Sequence, residues 1–183
     1  MTVDIFVQNY LSSIRSVTLT EVFYVASSFF DASQNFFLLV VLVCALVYIV
    51  RGRGYALLLA LSLFSSAIAV ALLKWFFNIG RPLDYVVSAF GQSFPSYHAT
   101  IATVFFLMLM YIFDPHFSRI TRIFFNAACF TGIFIVGFSR VYLGAHWLTD
   151  VLAGVLLGFL FAYLSVIVFN VVMNRRGKAS MIR

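Results

Sequence analysis

The sequence predicts an all-α protein, a polytopic bundle of transmembrane helices. Of its 183 residues, 63% are hydrophobic and only 10% are charged, and the mean hydropathy is +1.05. Soluble domains have about 45–50% apolar and about 25% charged residues, so lipid is the expected solvent, and the length suits one domain. Five apolar runs mark the expected spans: Phe36–Val50, Tyr55–Leu73, Ala99–Phe113, Ile123–Phe138 and Val151–Met173.

Several of these runs are shorter than the roughly 20 residues that a helix needs to cross the hydrocarbon. Each short run must therefore borrow flanking residues or line the protein interior. Small residues recur inside the runs, which lets helices pack closely in lipid. Cys44 and Cys129 also lie inside the runs, and we interpret them as small core residues rather than as a disulfide or a metal site.

The first 34 residues form no uninterrupted span, because charged residues recur in them. These are Asp4, Arg15, Glu21 and Asp31. We predict that residues 1–34 are helices lying at the outer interface, with the N-terminus outside; a sixth span near Thr18–Phe30 is the alternative. No signal peptide with a cleavage site is visible, so this segment is expected to be retained. Residues 35–174 then form the membrane domain, and residues 175–183 form a basic cytoplasmic tail.

The basic residues indicate the orientation. If the runs alternate in direction, eight of the twelve Lys and Arg residues fall on one side, which the positive-inside rule makes cytoplasmic. They are Arg51, Arg53, Arg119, Arg122, Arg175, Arg176, Lys178 and Arg183. This distribution accounts for the net charge of +6, and no nucleic-acid partner is expected. Lys74, Arg81 and Arg140 fall on the opposite side, where the rule disfavours cations, so their presence there needs another explanation.

The first polar island on that side contains Lys74, Arg81 and Pro82. The two cations are seven residues apart, or two helical turns, so they share a face of a helix. Pro82 favours an end to that helix. The alternative interpretation is a pair of cations that reach along the helix into the interface.

The second island is Pro95-Ser96-Tyr97-His98, directly before an apolar run. Pro and Ser are residues that start helices. A helix N-terminus offers free backbone N–H groups and a partial positive charge, which suit a phosphate group. An ordinary helix cap followed by an interfacial histidine is the alternative.

The third island contains Ser139, Arg140, His146 and Asp150. His146 and Asp150 are four residues apart and hence neighbours on one helix face. A carboxylate bound to one imidazole nitrogen fixes the tautomer and raises the basicity of the other nitrogen, which prepares a histidine to attack. One His and one Asp are a poor ligand set for a metal, so no metal or other cofactor is expected.

Together the islands place three cations on one side of the membrane. They suit a phosphate dianion and the charge that spreads over its oxygens in the transition state. Lys74 supplies a point charge, and Arg81 and Arg140 can each bind two oxygens.

The three islands resemble the signature of the type 2 phosphatidic acid phosphatase family, which includes soluble acid phosphatases and vanadium haloperoxidases. That signature is Lys, six residues, Arg-Pro; then Pro-Ser-x-His; then Ser-Arg, five residues, His, three residues, Asp. The matching residues are Lys74, Arg81, Pro82, Pro95, Ser96, His98, Ser139, Arg140, His146 and Asp150. The resemblance runs from about Phe36 to Met173.

The resemblance implies roles for these residues. His146 is then the nucleophile that takes the phosphoryl group, Asp150 its orienting partner, and His98 the general acid that protonates the leaving lipid oxygen. The phosphate-binding residues are Lys74, Arg81, Ser96, Tyr97 and Arg140, with Pro82, Pro95 and Ser139 in support. Water hydrolyses the phosphohistidine, and the family uses no metal for this step.

The chain departs from the pattern in two places. The family usually has Gly where this chain has Tyr97, and Gly permits a close approach of the backbone to phosphate. We expect the Tyr97 N–H to be retained as a donor and its ring to point away, toward the lipid headgroup. Membrane members also often carry six spans, and here the first is missing or replaced by the N-terminal segment.

The sequence therefore predicts an integral membrane lipid phosphatase that hydrolyses a phosphomonoester or diphosphate. We expect it in the bacterial inner (plasma) membrane, with the active site facing the extracytoplasmic side. Phosphatidate, phosphatidylglycerophosphate, undecaprenyl diphosphate and lipid A phosphate all remain open as substrates. A lipid phosphotransferase, in which an acceptor lipid replaces water, is the alternative enzyme. A catalytically silent lipid-binding relative would have lost His98 or His146, and a transporter would need charges deep inside the spans.

Overall fold

The computed structural model describes residues 2–30, 34–87 and 91–181, and only the backbone of residues 2, 34 and 175–181. Asp31, Arg183 and residues 88–90 of the loop before Pro95 thus lie outside it. Within these ranges the chain is helical and contains no strand. The helices are α1 (Thr2–Ser13), α2 (Val17–Ser28), α3 (Gln34–Arg51), α4 (Arg53–Phe77), α5 (Tyr97–Phe113), α6 (Arg119–Tyr142) and α7 (Leu148–Met181), with a 3₁₀ turn at Asp114–His116. The predicted all-α fold class is confirmed.

The predicted apolar runs all lie within helices. In the described part of the chain, four helices are long and apolar enough to cross a membrane, at Arg53–Phe77, Tyr97–His116, Arg119–Tyr142 and Leu148–Asn174. The first predicted run lies in α3, whose 18 residues extend roughly 27 Å. That length is slightly below the roughly 30 Å of the hydrocarbon core, and α3 is shorter than each of those four spans.

Local sequence signals account for the helix starts. Ser16, Ser96 and Ser118 are the N-cap residues of α2, α5 and α6, and each side chain accepts a hydrogen bond from a backbone N–H three residues later. Such caps satisfy one of the N–H groups that a helix leaves free at its first turn. The predicted helix start at Pro95-Ser96 is where α5 begins.

Helix α5 lies at the centre of the bundle and packs against α4, α6 and α7. Its contact with α7 is close because α7 carries glycines at two positions one turn apart. A Cβ atom on Gly154 would lie 2.8 Å from the Ser96 carbonyl oxygen, and one on Gly158 would lie 2.5 Å from Thr103 Cβ. The small residues of the apolar runs thus bring the first turns of α5 and α7 together.

Alternation of the helices collects the polar islands at one end of the bundle. Lys74 lies in the last turn of α4 and Arg140 in the last turn of α6, whereas His98 and Asp150 lie in the first turns of α5 and α7. We call this end the site end. The opposite end carries the basic residues Arg51, Arg53, Arg119 and Arg122 near the ends of α3, α4 and α6.

The N-terminal segment forms two helices of 12 residues each, or roughly 18 Å, which is too short to cross the hydrocarbon. Helix α1 covers the site end, where Leu11 packs in an apolar cluster with Tyr142. Helix α2 does not lie flat across that end. Its N-cap N–H donates to the Tyr142 hydroxyl, Phe23 contacts Phe138, and Phe30 contacts Phe105 deeper in the bundle.

Helix α2 thus runs alongside α6, with Phe23 partly buried and Ser27 buried. The interfacial placement of residues 1–34 stays a prediction, as do the domain limits at residues 35–174 and 175–183. The backbone of α7 continues as a helix to Met181, into the predicted tail.

Candidate active site

Two cations converge on one stretch of backbone, residues 91–93. Lys74 Nζ donates to the carbonyl oxygens of Gln92 and Ser93, at 2.7 and 3.1 Å. Arg81 Nε donates to the Gly91 carbonyl at 3.0 Å, and Arg81 Nη2 to the Gln92 carbonyl at 3.2 Å. Backbone carbonyl oxygens therefore hold the Lys74 and Arg81 side chains close together. Because these acceptors are neutral, both side chains keep their positive charge.

His146 lies between Arg81 and a polar pair. Arg81 Nη1 donates to the Ala145 carbonyl at 2.6 Å and lies 3.2 Å from His146 Nε2. An arginine can only donate, so Nε2 is the acceptor and the ring proton is on Nδ1. On that side Nδ1 lies 3.3 Å from Ser93 Oγ and 3.6 Å from Asp150 Oδ2. The ring therefore presents its lone pair to the guanidinium and its N–H to Ser93 and Asp150.

The first turn of α7 fixes Asp150. Its Oδ2 accepts a hydrogen bond from the Trp147 backbone N–H at 3.0 Å and another from Ser93 Oγ. A carboxylate that reaches back to the residue before the helix is the reciprocal half of a capping box. The Asp150 carbonyl also accepts from the Ser96 N–H at 3.0 Å, which ties the start of α5 to that of α7.

The surroundings of His146 keep it neutral. The side chain is 1% exposed. Burial, followed by the charges of Arg81, Arg140, Lys74 and His98, lowers the pKa of His146 well below its ordinary value. Near neutral pH the ring is thus uncharged and Nε2 keeps its lone pair. The contact with Asp150 is accordingly one between a neutral imidazole and a carboxylate.

The second island forms the N-terminus of α5. Ser96 Oγ accepts from the Ala99 N–H at 3.4 Å, so its hydroxyl acts as a helix cap. His98 follows within the first turn and is buried. The Tyr97 ring packs against the apolar core cluster, and not toward a lipid headgroup as the sequence suggested. Its backbone N–H remains at the helix start, and Pro95 is buried directly before it.

The remaining predicted residues lie near the end of α6 and in the loop after α4. Arg140 is 5% exposed, and its Nη1 donates to Ser27 Oγ on α2 at 3.1 Å. The Ser139 hydroxyl donates to the Val136 carbonyl of its own helix at 2.7 Å, which satisfies it locally. Pro82 is buried beside Arg81. The Ser139 hydroxyl thus bonds its own helix and not another site residue.

The N-terminal helices also contact the site end. Asp4 accepts hydrogen bonds from both the backbone N–H and the hydroxyl of Thr149, at 3.0 and 2.9 Å. Arg15 Nε donates to the Tyr142 carbonyl at 2.9 Å, and its Nη1 bonds Asp84 at 3.0 Å. Two of the charged residues that interrupt the N-terminal segment thus bind the turn that carries His146.

That turn depends on Gly144. Its φ is +71°, a left-handed conformation that favours glycine. A Cβ atom there would lie 2.2 Å from the Asp84 carbonyl oxygen. Gly144 therefore allows the loop after Pro82 to pack against the turn between α6 and α7. Among the described residues, no group of three or more His, Cys, Asp or Glu side chains is arranged to hold a metal ion.

Comparison with known proteins places this arrangement in a family. The sequence model of the PAP2 superfamily matches residues 55–174, more than half of the chain. The chain belongs to the PAP2 superfamily. Phosphatidylglycerophosphatase B of Bacillus subtilis (strain 168) is 29% identical over 136 residues, which cover 73% of this chain and 67% of that protein.

Two solved structures resemble this PAP2 protein. A crystal structure of a transmembrane PAP2-type phosphatidylglycerolphosphate phosphatase from Bacillus subtilis has a TM-score of 0.81 at 26% identity, covering 100% of this chain and 87% of that chain. LpxE of Aquifex aeolicus has a TM-score of 0.73 at 23% identity, covering 88% and 93%, which shows a shared fold. The predicted family and the helical membrane fold are confirmed, and the protein is a membrane lipid phosphatase.

Sequence reasoning on this PAP2 protein missed three contributors. Ser93 precedes the Pro95 motif by two residues, and no spacing rule singles it out. Trp147 holds Asp150 through its N–H, and its Nε1 donates to the Gly80 carbonyl at 2.9 Å. Asp4 is the third, and its signal in the sequence is Gln8 four residues later, which places two polar side chains on one helix face.

Proposed function

We propose that this protein removes phosphate from a lipid through a phosphohistidine formed on His146 Nε2. The observation that carries the proposal is the setting of that ring. Its lone pair faces the Arg81 guanidinium, its Nδ1–H faces Ser93 and Asp150, and it is neutral and buried. A nucleophile prepared in this way can attack the phosphorus of a phosphate group that binds to the neighbouring cations.

In the first step the phosphoryl oxygens take over the N–H groups of the cations. Arg81 then releases Nε2, whose lone pair forms a bond to phosphorus while the bond from phosphorus to the lipid oxygen breaks. His98 gives its proton to that oxygen, and the lipid alcohol leaves. A helix N-terminus binds phosphate through backbone N–H groups that have no intrahelical carbonyl partner, and in α5 the N–H of Tyr97 takes this role.

In the second step water replaces the lipid. Neutral His98 takes a proton from the water molecule, whose oxygen attacks phosphorus. The phosphorus–nitrogen bond breaks, its electron pair returns to His146 Nε2, and inorganic phosphate is released. Lys74, Arg81 and Arg140 stabilise the equatorial oxygens in both transition states, with Ser96 holding the helix start.

For the substrate we infer that phosphatidylglycerophosphate is the first of the four candidate lipids to test. The relative that is 29% identical to this chain and the solved structure that is 26% identical to it are both named as phosphatases of that lipid. Transfer of the phosphoryl group to an acceptor lipid is the second candidate, and the two reactions differ in whether free phosphate appears.

The purified protein should release phosphate from phosphatidylglycerophosphate in detergent more efficiently than from phosphatidate, undecaprenyl diphosphate or lipid A phosphate. EDTA should leave the rate unchanged, because the cations supply the charge stabilisation, and vanadate should inhibit by imitating pentacoordinate phosphorus. Measuring kcat/KM on the four lipids, with and without EDTA, checks both expectations. Loss of activity in EDTA that magnesium restores would contradict the mechanism, and phosphate lost from the donor but not released would favour transfer.

We also propose that the protein lies in the inner membrane with the site end outside. This placement rests on the basic residues at the opposite end, which the positive-inside rule assigns to the cytoplasm. Lys74, Arg81 and Arg140, which carry positive charge at the site end, then serve phosphate binding.

Cysteine labelling on intact cells tests the orientation. In a background with Cys44 and Cys129 replaced by alanine, Leu83→Cys should react with an impermeant thiol reagent, because Leu83 is 97% exposed at the site end. The matched variant Arg119→Cys, which is exposed at the opposite end, should react only after permeabilisation. The reverse labelling pattern would place the active site in the cytoplasm.

A further inference from the structure

Ser93 joins the two halves of the candidate site through all of its polar groups. The residue is fully buried. Its backbone N–H donates to the Ile79 carbonyl at 2.7 Å, and its carbonyl accepts from Lys74 Nζ at 3.1 Å. Its hydroxyl donates to Asp150 Oδ2 and lies 3.3 Å from His146 Nδ1. One loop residue thus touches a phosphate-binding cation, the nucleophile and the carboxylate.

The distances give the hydroxyl a specific place between His146 and Asp150. Nδ1 and Oδ2 are 3.6 Å apart, which is too far for a hydrogen bond, whereas Nδ1 and Ser93 Oγ are 3.3 Å apart and within reach of one. Ser93 Oγ is closer to Nδ1, and its own proton is directed to Asp150. A hydroxyl can accept one hydrogen bond while it donates another. The path from imidazole to carboxylate therefore runs from Nδ1–H to Ser93 Oγ and from Ser93 Oγ to Asp150.

We propose that Ser93 is a positioning residue for the nucleophile, through which Asp150 orients and polarises His146. This inference rests on the proposed function and adds a residue to it. As Nε2 bonds to phosphorus, positive charge develops on the ring, and the Nδ1–H becomes a stronger donor. The chain of hydrogen bonds through Ser93 to a carboxylate stabilises that charge, because linked hydrogen bonds polarise one another. No proton leaves Nδ1.

Removing the hydroxyl should slow chemistry without weakening substrate binding. Ser93→Ala should lower kcat by roughly 10- to 100-fold, the effect of losing one hydrogen bond to a charged group, and leave KM within about twofold. The loss should be equal on a lipid phosphate and on p-nitrophenyl phosphate, since the same nucleophile attacks both. Ser93→Thr, which restores a hydroxyl, should recover most of the rate.

The control is Ser62→Ala, because Ser62 is equally buried and donates to the Leu58 carbonyl of its own helix, away from the site. It should keep the original kcat. Each rate is measured on the folded, monodisperse fraction from gel filtration. A double-mutant cycle with Asp150→Asn supplies the decisive readout. If Ser93 acts through Asp150, Ser93→Ala should add little to the loss that Asp150→Asn already causes.

A Ser93→Ala variant with unchanged kcat, or effects of the two substitutions that simply multiply, would overturn the proposal. The outcome is separable from failure of the proposed function. If His146→Ala is inactive while Ser93→Ala is fully active, only the role of Ser93 is wrong. If His146→Ala is active, the phosphohistidine itself is wrong.

Discussion

Replacing His146 with alanine is expected to abolish turnover on every phosphate ester. In the proposed mechanism the side chain supplies the atom that bonds to phosphorus, and Arg81 beside Nε2 cannot replace it because a guanidinium only donates. Loss of a nucleophile lowers kcat by about 10⁴- to 10⁶-fold in enzymes of this kind of mechanism. The measurement is kcat/KM on phosphatidylglycerophosphate and on p-nitrophenyl phosphate.

The chain provides a matched control in its third histidine. His116 lies at the opposite end of the bundle, where its ring contacts Arg51, and it takes no part in the candidate site. His116→Ala should therefore keep full activity on both substrates. Substantial turnover by His146→Ala, with His116→Ala unchanged, would remove His146 from the role of nucleophile.

The lowered pKa of His146 supports its role as the nucleophile, because only the neutral ring has a lone pair on Nε2. A histidine whose pKa is depressed stays neutral at every pH above that lowered value, so the nucleophile keeps its lone pair at neutral pH and is lost only as the pH falls through the lowered pKa. Asp150→Asn should impair turnover on both substrates, because the amide no longer selects the tautomer with the proton on Nδ1.

Replacing His98 with alanine is expected to separate the two substrates. On a lipid phosphate the leaving alkoxide needs a proton, and loss of the general acid should lower kcat/KM by about 10²- to 10⁴-fold. On p-nitrophenyl phosphate the leaving group is stable as an anion and hardly needs protonation. We therefore expect His98→Ala to retain relatively more activity on that substrate, although His98 is still the base for the water step.

The comparison needs both histidine variants assayed side by side, with His116→Ala as the reference. A burst of p-nitrophenol followed by slow turnover in His98→Ala would support the division of roles, since phosphorylation would outpace hydrolysis. Equal loss on both substrates, together with residual activity in His146→Ala, would require the two assignments to be exchanged.

The grouping of the candidate site could be predicted from the sequence, because the alternation of the apolar runs brings the three islands to one end. The predicted helix faces were wrong. Helix α4 ends at Phe77, so Arg81 lies in the loop after it, and α7 begins at Leu148, so His146 lies in the turn before it. The predicted helix start at Ser96 needed only its cap and the apolar run that follows.

The contributions that escaped prediction depend on contacts between distant parts of the chain. Ser93 is important because its loop folds against His146 and Asp150, which lie 53 and 57 positions away in the sequence. The direction of α2 along α6 likewise depends on aromatic packing, as in the contact of Phe23 with Phe138. A pattern of apolar and charged residues does not specify which faces meet.

The orientation of the Tyr97 ring also depends on packing that the sequence pattern does not specify. Its position in a signature that usually has Gly predicted a ring turned toward the lipid headgroup. The ring instead packs against the core between helices, where an aromatic side chain buries more apolar surface. The Tyr97 backbone N–H at the helix start remains the group that we propose to bind phosphate.

The most direct test is to trap the covalent intermediate. The His98→Ala variant is mixed with a substrate carrying labelled phosphate, quenched in alkali within one turnover and digested for mass spectrometry. The account predicts a phosphoryl group on the peptide that contains His146, stable to alkali, lost in acid and missing from His146→Ala. Label on any other residue, or full turnover with no labelled protein at any time, would contradict it.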